Sequence, residues 1–591
     1  MKQSAPLSTS QFGLYIECAS HEGEAYYNVP YLYILDGSLD GERLCKAVQT
    51  AVWAHPTLFT RIELSDDGNP VQTVDLEKEA WSLKIETVDD FEAVRPTLIV
   101  PYDLVGGRLF DIRLLRDADH FYLYIGFHHI IGDGTTLKVL LQDIETAYNG
   151  GTLAPEQLTM AELATLETEL RQSPLFEEGK QWYAKNFDCG DVYTPLMPDL
   201  EIAEHSEASM KRTLDVDMAS VDAYLKANGV FKSTFFTSAY SYLLARYNNE
   251  QESLCTTIFN GRSDKRFLHS VGMTVKTLPV YAKFDDQTTV LDYLKAGQDQ
   301  MGGCRKYEIY SYSDIVTDLG LQSNTMFAWH GMLFDNEALC GSPMQTIRLC
   351  NSTLEAPLYI KVFIYEGHYQ VKAEYNSNEY SPELIAQFLE SYEAVVKGFL
   401  TQTLVRDVCI STPSQVAGLD KFNETDVDYD TTQTIVSLFR RQAKATPQNV
   451  AVVYKDKTYT YAQADDLSDR IAAYVSSQGL GQEDVVSVLI PRSEWMAIAS
   501  LGVLKAGCAY QPLDPTYPQE RLNFMMKDAS AKLLIADEQL RDIVDEYTGD
   551  VLLTKDIPML PKAEGPHVDV KPESLFILLY TSGSTGVPKG C

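Results

Sequence analysis

The stretch FHHIIGDGTT, Phe127 to Thr136, places two adjacent histidines ahead of an Asp-Gly pair. Before it runs HFYLYIG, rich in aromatic residues and of strand character. After it, TTLKVLLQDIETAYNG puts Leu137, Leu140, Leu141 and Ile144 on one helical face, and Gly150 suits the end of that helix. The motif therefore belongs at a strand-to-helix junction. Successive strand side chains face opposite ways, so His128 is expected beside Tyr124 and Gly126, and His129 beside Ile125 and Phe127. Two such histidines do not readily chelate one ion, and no H-E-x-x-H or carboxylate cluster adds ligands, so no metal site is expected. Asp133, in the turn, can pair with an arginine to brace the loop. Gly134 permits φ > 0 or close approach of a ligand.

Further out, 591 residues exceed what one hydrophobic core serves, and two to four folding units are expected. Apolar content of 45% and charged content of 22% are ordinary for a globular protein. Forty-nine basic against 83 acidic residues give a net charge of −34, spread along the chain. Such a chain repels nucleic acid and anionic lipid, so neither is an expected partner. No run approaches the ~18 apolar residues of a membrane span. MKQSAPLSTSQFG has no apolar signal core, and ten scattered cysteines form no C-x-x-C pair. The expected compartment is cytoplasmic.

The first block alternates helix and strand signals: LDGERLCKAVQTAVW (39–53) as a helix, TLFTRIEL and HFYLYIGFHHI as strands. A second block has helices at 233–247 and 381–400, a strand in ESLCTTIFNGR, and a hairpin in LYIKVFIYEGHYQVKAEY. Hairpins with non-alternating elements favour an α+β architecture. Apolar periodicity lapses over STPSQVAGLDKFNETDVDYDTTQ, which reads as a linker at 411–433. Beyond it, VAVVYKD and DVVSVLIP alternate with ADDLSDRIAAYVSS, an α/β pattern.

HHIIGDG resembles the HHxxxDG signature of the condensation domains of nonribosomal peptide synthetases, relatives of chloramphenicol acetyltransferase. PLSTSQFGLYIEC, AHPTLFTRIEL and VGMTVKTLPV resemble further segments of that family, and NGRSDKR supplies the arginine, Arg262, that the resemblance implies as the brace of Asp133. Three departures stand out. Thr135-Thr136 replaces Trp-Ser, Lys276 replaces an asparagine, and MAELATLE replaces an aromatic segment. The resemblance implies two acetyltransferase-like lobes, 1–175 and 176–410, around a tunnel. The acceptor's α-amine attacks a donor thioester there, both substrates being carried on 4'-phosphopantetheine arms of carrier proteins. No cofactor is expected on the condensation domain itself. An α-amine titrates near ~8 and an imidazole near ~6.5, so no strong base is needed to start the attack. His129 is expected to orient the amine and take its proton late, with His128 and Asp133 mainly structural and Gly134 a backbone contributor near the carbonyl.

The terminal YTSGSTGVPKG does not fit the G-x-x-x-x-G-K-[ST] pattern. It follows an apolar run, SLFILLY, that reads as a strand, and its hydroxyls, glycines and Lys589 can still wrap a phosphate. It resembles the phosphate loop of adenylate-forming enzymes, as LKAGCAYQPLDPTYPQERL (504–522) and KTYTYAQADDLS (457–468) resemble other adenylation motifs. Thr581, Ser582, Gly583, Ser584, Thr585, Gly586 and Lys589 would then contact ATP phosphates in an incomplete α/β adenylation domain, 434–591. ATP and Mg2+ serve the complete domain, and the shortened one is not expected to adenylate. Chain order implies a donor carrier acting in trans upstream and an acceptor carrier downstream. The competing readings are an epimerization-type domain, a glycerolipid acyltransferase built on H-x-x-x-x-D, and a degenerate fold serving only as a docking platform.

Overall fold

The computed structural model describes all residues except 1–2, 20–22, 26, 189, 191, 202–205, 322, 332–337, 350–355, 583–587 and the side chain of Ser582. The chain divides into two compact units, Met1–Glu424 and Thr425–Cys591.

Among the described residues, the first unit contains two six-stranded sheets. One runs in the order Ala338–Leu339, Ser342–Arg348, Asn28–Asp36, His120–His128, Phe110–Arg116, Ile85–Thr87. His120–His128 lies inside it and is buried on both faces after its first residue. Phe121, Leu123, Ile125 and Phe127 enter the core shared with helices Gly41–Trp53 and Gly134–Tyr148, while Tyr122 and Tyr124 enter a second cluster with Leu32 and Phe91. That two-sided burial explains an almost unbroken apolar run where a half-buried strand would alternate.

The other sheet runs Lys276–Lys283, Glu252–Phe259, Thr325–Gly331, Leu358–Tyr365, His368–Asn376, Glu207–Thr213. Thr325–Gly331 is parallel to both its neighbours, which makes the sheet mixed. Helix Lys232–Tyr247 packs against it with every residue from Thr234 to Ala245 buried, as befits a helix apolar on nearly all sides. The expected hairpin turns at Glu366 (φ 49°) and Gly367 (φ 71°), two left-handed residues that match the twist of the strands they join.

One expectation is corrected: the first residues of TLFTRIEL belong to a 3-10 turn, Pro56–Phe59, and the strand begins at Arg61, because proline has no N–H for a ladder. Within 411–433, Thr412 and Gln415 cap a helix, Pro413–Phe422, which buries none of its residues and so carries no apolar signal. Ser342–Arg348 crosses back to pair with Asn28–Asp36 of the first sheet.

In the second unit, Ala509–Pro512, Val485–Leu489, Leu533–Ala536 and Asp550–Leu553 form a parallel sheet. Helices Tyr461–Ser477 and Glu494–Lys505 cover one face and Gln519–Asp528 the other. The α/β expectation matches this. The lysine of LKAG, Lys505, has no exposed side-chain surface and binds Asp465 (2.6 Å) and Asp469 (2.9 Å) of the ADDLSD helix. SLFILLY is not the strand expected. It touches Ala509–Pro512 by a single bridge, Ile577 to Tyr510, and leaves Leu575, Phe576 and Leu579 exposed.

Two buried charge clusters tie the first unit together. Lys276 pairs with Glu167 of helix Met160–Arg171 and donates to Thr9 Oγ1 (3.0 Å), while Glu167 Oε2 accepts from Thr9 N (2.8 Å) and Thr9 Oγ1 (3.0 Å). Two departures from the family pattern, Lys276 and MAELATLE, are thus the two halves of one ion pair. Elsewhere His55 is held between Asp143 (2.8 Å) and Glu156 (2.7 Å), and Glu156 also accepts from Val271 N (2.8 Å). Burial would push the His55 imidazole down, but its two carboxylate partners outweigh that and raise it to about 9.

A folded value above the ordinary 6.5 means that the His55 contribution is complete at acidic pH and lost as pH rises through about 9. Between about pH 6 and pH 10, urea denaturation should show the wild type losing on the order of 3 kcal/mol more stability than His55→Gln. Lys276→Met strands a buried carboxylate and should cost roughly 3–5 kcal/mol. Lys276→Met/Glu167→Gln should recover most of this in a double-mutant cycle, since a glutamine oxygen still accepts from Thr9.

Candidate active site

Helix Gly134–Tyr148 begins where it does because Asp133 caps it. Asp133 Oδ1 accepts from Thr135 N (3.0 Å) and Thr136 N (3.1 Å), and Thr136 Oγ1 accepts from Asp133 N (3.1 Å). The same carboxylate receives a two-pronged contact from Arg262, Nη1 to Oδ2 at 2.7 Å and Nη2 to Oδ1 at 3.0 Å. Oδ2 also accepts from Thr274 N (3.2 Å) and Oγ1 (3.1 Å). Both side chains are out of water, Arg262 at 1% and Asp133 at 0% exposure. Burial pushes the carboxyl up, but the guanidinium charge and these donors outweigh it and hold Asp133 below its usual range. Asp133 is ionised and its acceptor capacity is spent.

Arg262 reaches this position through a turn that needs glycine. Gly261 has φ +61°, and a Cβ there would lie 1.7 Å from the Thr274 carbonyl oxygen. Gly134 needs no such freedom: it is the first helical residue, without positive φ, so the conformational role expected for it is corrected. Thr136, where the family has serine, also uses its hydroxyl to accept from Gly272 N (3.2 Å). The Thr-Thr departure therefore keeps the hydroxyl that the turn requires.

The two histidines part company differently than expected. The strand ends at His128, and His129 opens a 3-10 turn instead of continuing onto the Ile125–Phe127 face. Capping ends the ladder: His128 Nδ1 accepts from Ile130 N (3.1 Å). That bond leaves the ring proton on Nε2, 3.6 Å from Cys18 Sγ. Burial lowers His128 to about 3 and pushes the Cys18 thiol up to about 12. A neutral imidazole beside a neutral thiol is a structural pair, with no proton to exchange near neutral pH.

His129 instead lines a cavity of about 1110 Å³. Its Nδ1 is buried and has no hydrogen-bond partner among the described residues, so no carboxylate orients this ring as in a Ser-His-Asp triad. Its backbone is fixed by N–H donation to Tyr27 O (2.8 Å). Tyr27 is itself left-handed (φ 58°), a costly conformation for an aromatic residue. The ring of Tyr27 stands edge-on to His129, 6.3 Å between centroids. Tyr27, Gly134 and Thr135 line the cavity with His129, and so do Val275, Trp329 and Lys361 of the second block. Neither Tyr27 nor Thr274 was singled out by its sequence, because a single chain does not reveal an unfavourable φ or a long-range hydroxyl contact. Among the described residues no group of three or more His, Cys, Asp or Glu is placed to hold a metal ion.

In the second unit, Thr581 and Lys589 are opposed in register on strands Tyr580–Ser582 and Pro588–Gly590. That brings a hydroxyl and an ammonium to one hairpin, a pairing suited to phosphate. Gly583, Ser584, Thr585, Gly586 and the Ser582 side chain lie outside the described residues.

Comparison with known proteins places this geometry. The family model described as "Condensation domain" matches residues 1–417, and that described as "AMP-binding enzyme" matches 439–591. Surfactin synthase subunit 1 of Bacillus subtilis (strain 168) is 26% identical over 99% of this chain and 17% of its own length. Bacitracin synthase 3 of Bacillus licheniformis is 26% identical over 100% of this chain and 10% of its own length. The chain thus spans less than a fifth of these relatives. The fold is shared with holo-AB3403, a four-domain nonribosomal peptide synthetase bound to AMP and glycine, with TM-score 0.75 at 18% identity over 100% of this chain and 47% of that one. With a condensation match over its first 417 residues and an AMP-binding match behind it, the chain belongs to the condensation-domain family of the nonribosomal peptide synthetases.

Proposed function

We propose that the cavity around His129 joins a donor acyl or peptidyl thioester to the amine of an acceptor aminoacyl thioester. In this reading both substrates arrive on 4'-phosphopantetheine arms of carrier proteins. The observation that carries it is the division of labour in HHIIGDG. Asp133 is consumed by Arg262, Thr274 and the helix cap, His128 is neutral and buried, and His129 alone of the three lines the cavity.

The acceptor nitrogen attacks the donor carbonyl carbon, forming the C–N bond and a tetrahedral oxyanion. Collapse re-forms the carbonyl and breaks the C–S bond, and the donor arm leaves as a thiol. The proton lost by the nitrogen passes to His129 and on to the departing sulfur, so the ring ends as it began. Gly134 N, at the start of its helix on the cavity wall, has no bonded partner among the described residues. It is the backbone donor for the oxyanion, favoured by the helix terminus. In the second unit, Thr581 and Lys589 with the loop between them hold ATP phosphates, the ligand general to that family.

His129→Ala should lower amide formation by roughly 10²–10⁴-fold while leaving the thermal unfolding of the first unit unchanged. An unchanged rate, followed by mass spectrometry with loaded carriers, would overturn the role of His129, and no amide from any loaded carrier pair would favour the docking-platform reading. Arg262→Met should reduce both rate and stability, the latter by roughly 3–5 kcal/mol, because it strands Asp133 without its cation. Calorimetry beside the rate assay separates the two behaviours.

A further inference from the structure

The part of the cavity lining supplied by the second sheet carries a feature that amide formation does not itself require. Across three adjacent strands of the second sheet, Lys361 stands directly opposite Lys372, and Lys372 directly opposite Lys211. Direct partners project from the same face, so the three lysines form a row, and all three line the cavity. Like charges directly opposite in a sheet are destabilising. Glu374, two residues along from Lys372, joins two of the three to Arg348. It accepts from Lys361 Nζ (2.5 Å), Lys372 Nζ (2.7 Å) and Arg348 Nη1 (3.2 Å). Burial pushes the Glu374 carboxyl up, but the three cations outweigh that and hold it far below its usual range. One carboxylate thus gathers three cations.

The row is graded from inside to outside. Side-chain exposure is 10% at Lys361 and 22% at Lys372, and Lys211 is exposed on the edge strand. Among the described lining residues, Arg305 is a further cation, and Glu308 and Glu366 are further carboxylates. Five basic against three acidic groups make the described lining of the cavity positive in a chain whose net charge is −34. Glu374 answers Lys361, Lys372 and Arg348, and the basic groups of the lining still outnumber the acidic ones. A negatively charged ligand is drawn from the exposed end of the row toward the buried one.

We propose that the row is a specificity site for an acidic substrate: the donor or acceptor thioester carries a free carboxylate, as an aspartyl or glutamyl side chain or a dicarboxylic acyl group. The phosphate of a carrier's arm is esterified to the carrier surface and stays outside, whereas Lys361 is nearly out of water and packs its ammonium 4.1 Å from the centre of the Tyr359 ring. A carboxylate borne by the substrate reaches that depth. This inference rests on the amide-forming reading above and names the substrate class for it.

The test uses the full chain with carriers loaded in matched pairs, aspartyl against asparaginyl and glutamyl against glutaminyl, on the donor and the acceptor side in turn. The expected result is a kcat/KM roughly tenfold higher for the acid than for its amide on one side, the worth of a charge-assisted contact. Lys372→Met should bring that ratio to about one, and Lys372→Arg should keep it. Lys211→Met, at an exposed edge position where folding is not at stake, should lower the ratio several-fold. A wild-type ratio within about twofold of one on both sides overturns the inference, as does a ratio untouched by both methionine variants. Product from the amide members establishes amide formation whatever the ratio, so the two readings fail separately. If no pair reacts, calorimetric titration of N-acetylaspartate and N-acetylasparagine cysteamine thioesters into wild type and Lys372→Met decides the row by binding alone.

Discussion

The carboxylate of Asp133 and the guanidinium of Arg262 meet with no water around either, and the site is assembled about that contact. One carboxylate starts a helix, fixes the turn that presents His129, and binds Arg262 and Thr274 from the second sequence block. A buried charge is tolerated only when paired and saturated with hydrogen bonds. Anything that separates these segments therefore exposes an uncompensated ion, and local geometry at the histidines becomes tied to the fit between two distant stretches of chain.

The same logic recurs away from the motif. His55 gathers Asp143 and Glu156, and Glu156 reaches Val271 beside the Arg262–Thr274 segment. Lys276 gathers Glu167 and Thr9, and two residues further along the first helix Gln11 Nε2 donates to Ile130 O (3.0 Å) inside the motif. Both clusters thus hold segments whose neighbouring residues, Gln11, Gly272 and Thr274, bond the motif and the first turn of its helix. Rigidity there costs desolvation, and what it secures is an imidazole held in place by its backbone while its ring stays unclaimed by any acid.

Such placement suits late proton transfer more than strong base catalysis. In a triad the imidazole is oriented by a carboxylate, and the Nδ1 of His129 has no such partner among the described residues. On the proposed reading, alignment of two tethered reactants contributes more than base strength. On the same reading, the lysine row is where one substrate is told from another.

Much of this was legible in the residues alone. The helix after the motif, the turn at Glu366–Gly367, the change to α/β pattern beyond residue 433 and the likeness to condensation domains all rest on local periodicity or short spacing, which a sequence records directly. The lapse of periodicity over 411–433 gave no sign of the helix inside it, because a helix that buries nothing carries no stripe. SLFILLY misled, since an apolar run states a wish for burial and not its fulfilment. Tertiary structure alone decided that His129 leaves the strand, that Ser342–Arg348 joins the first sheet, that Lys276 and Glu167 answer one another, and that Lys361, Lys372 and Lys211 fall into register. Each of those depends on residues far apart in the chain meeting at a few ångströms. A single sequence fixes what each residue can do, and only the folded chain fixes which neighbour it does it with.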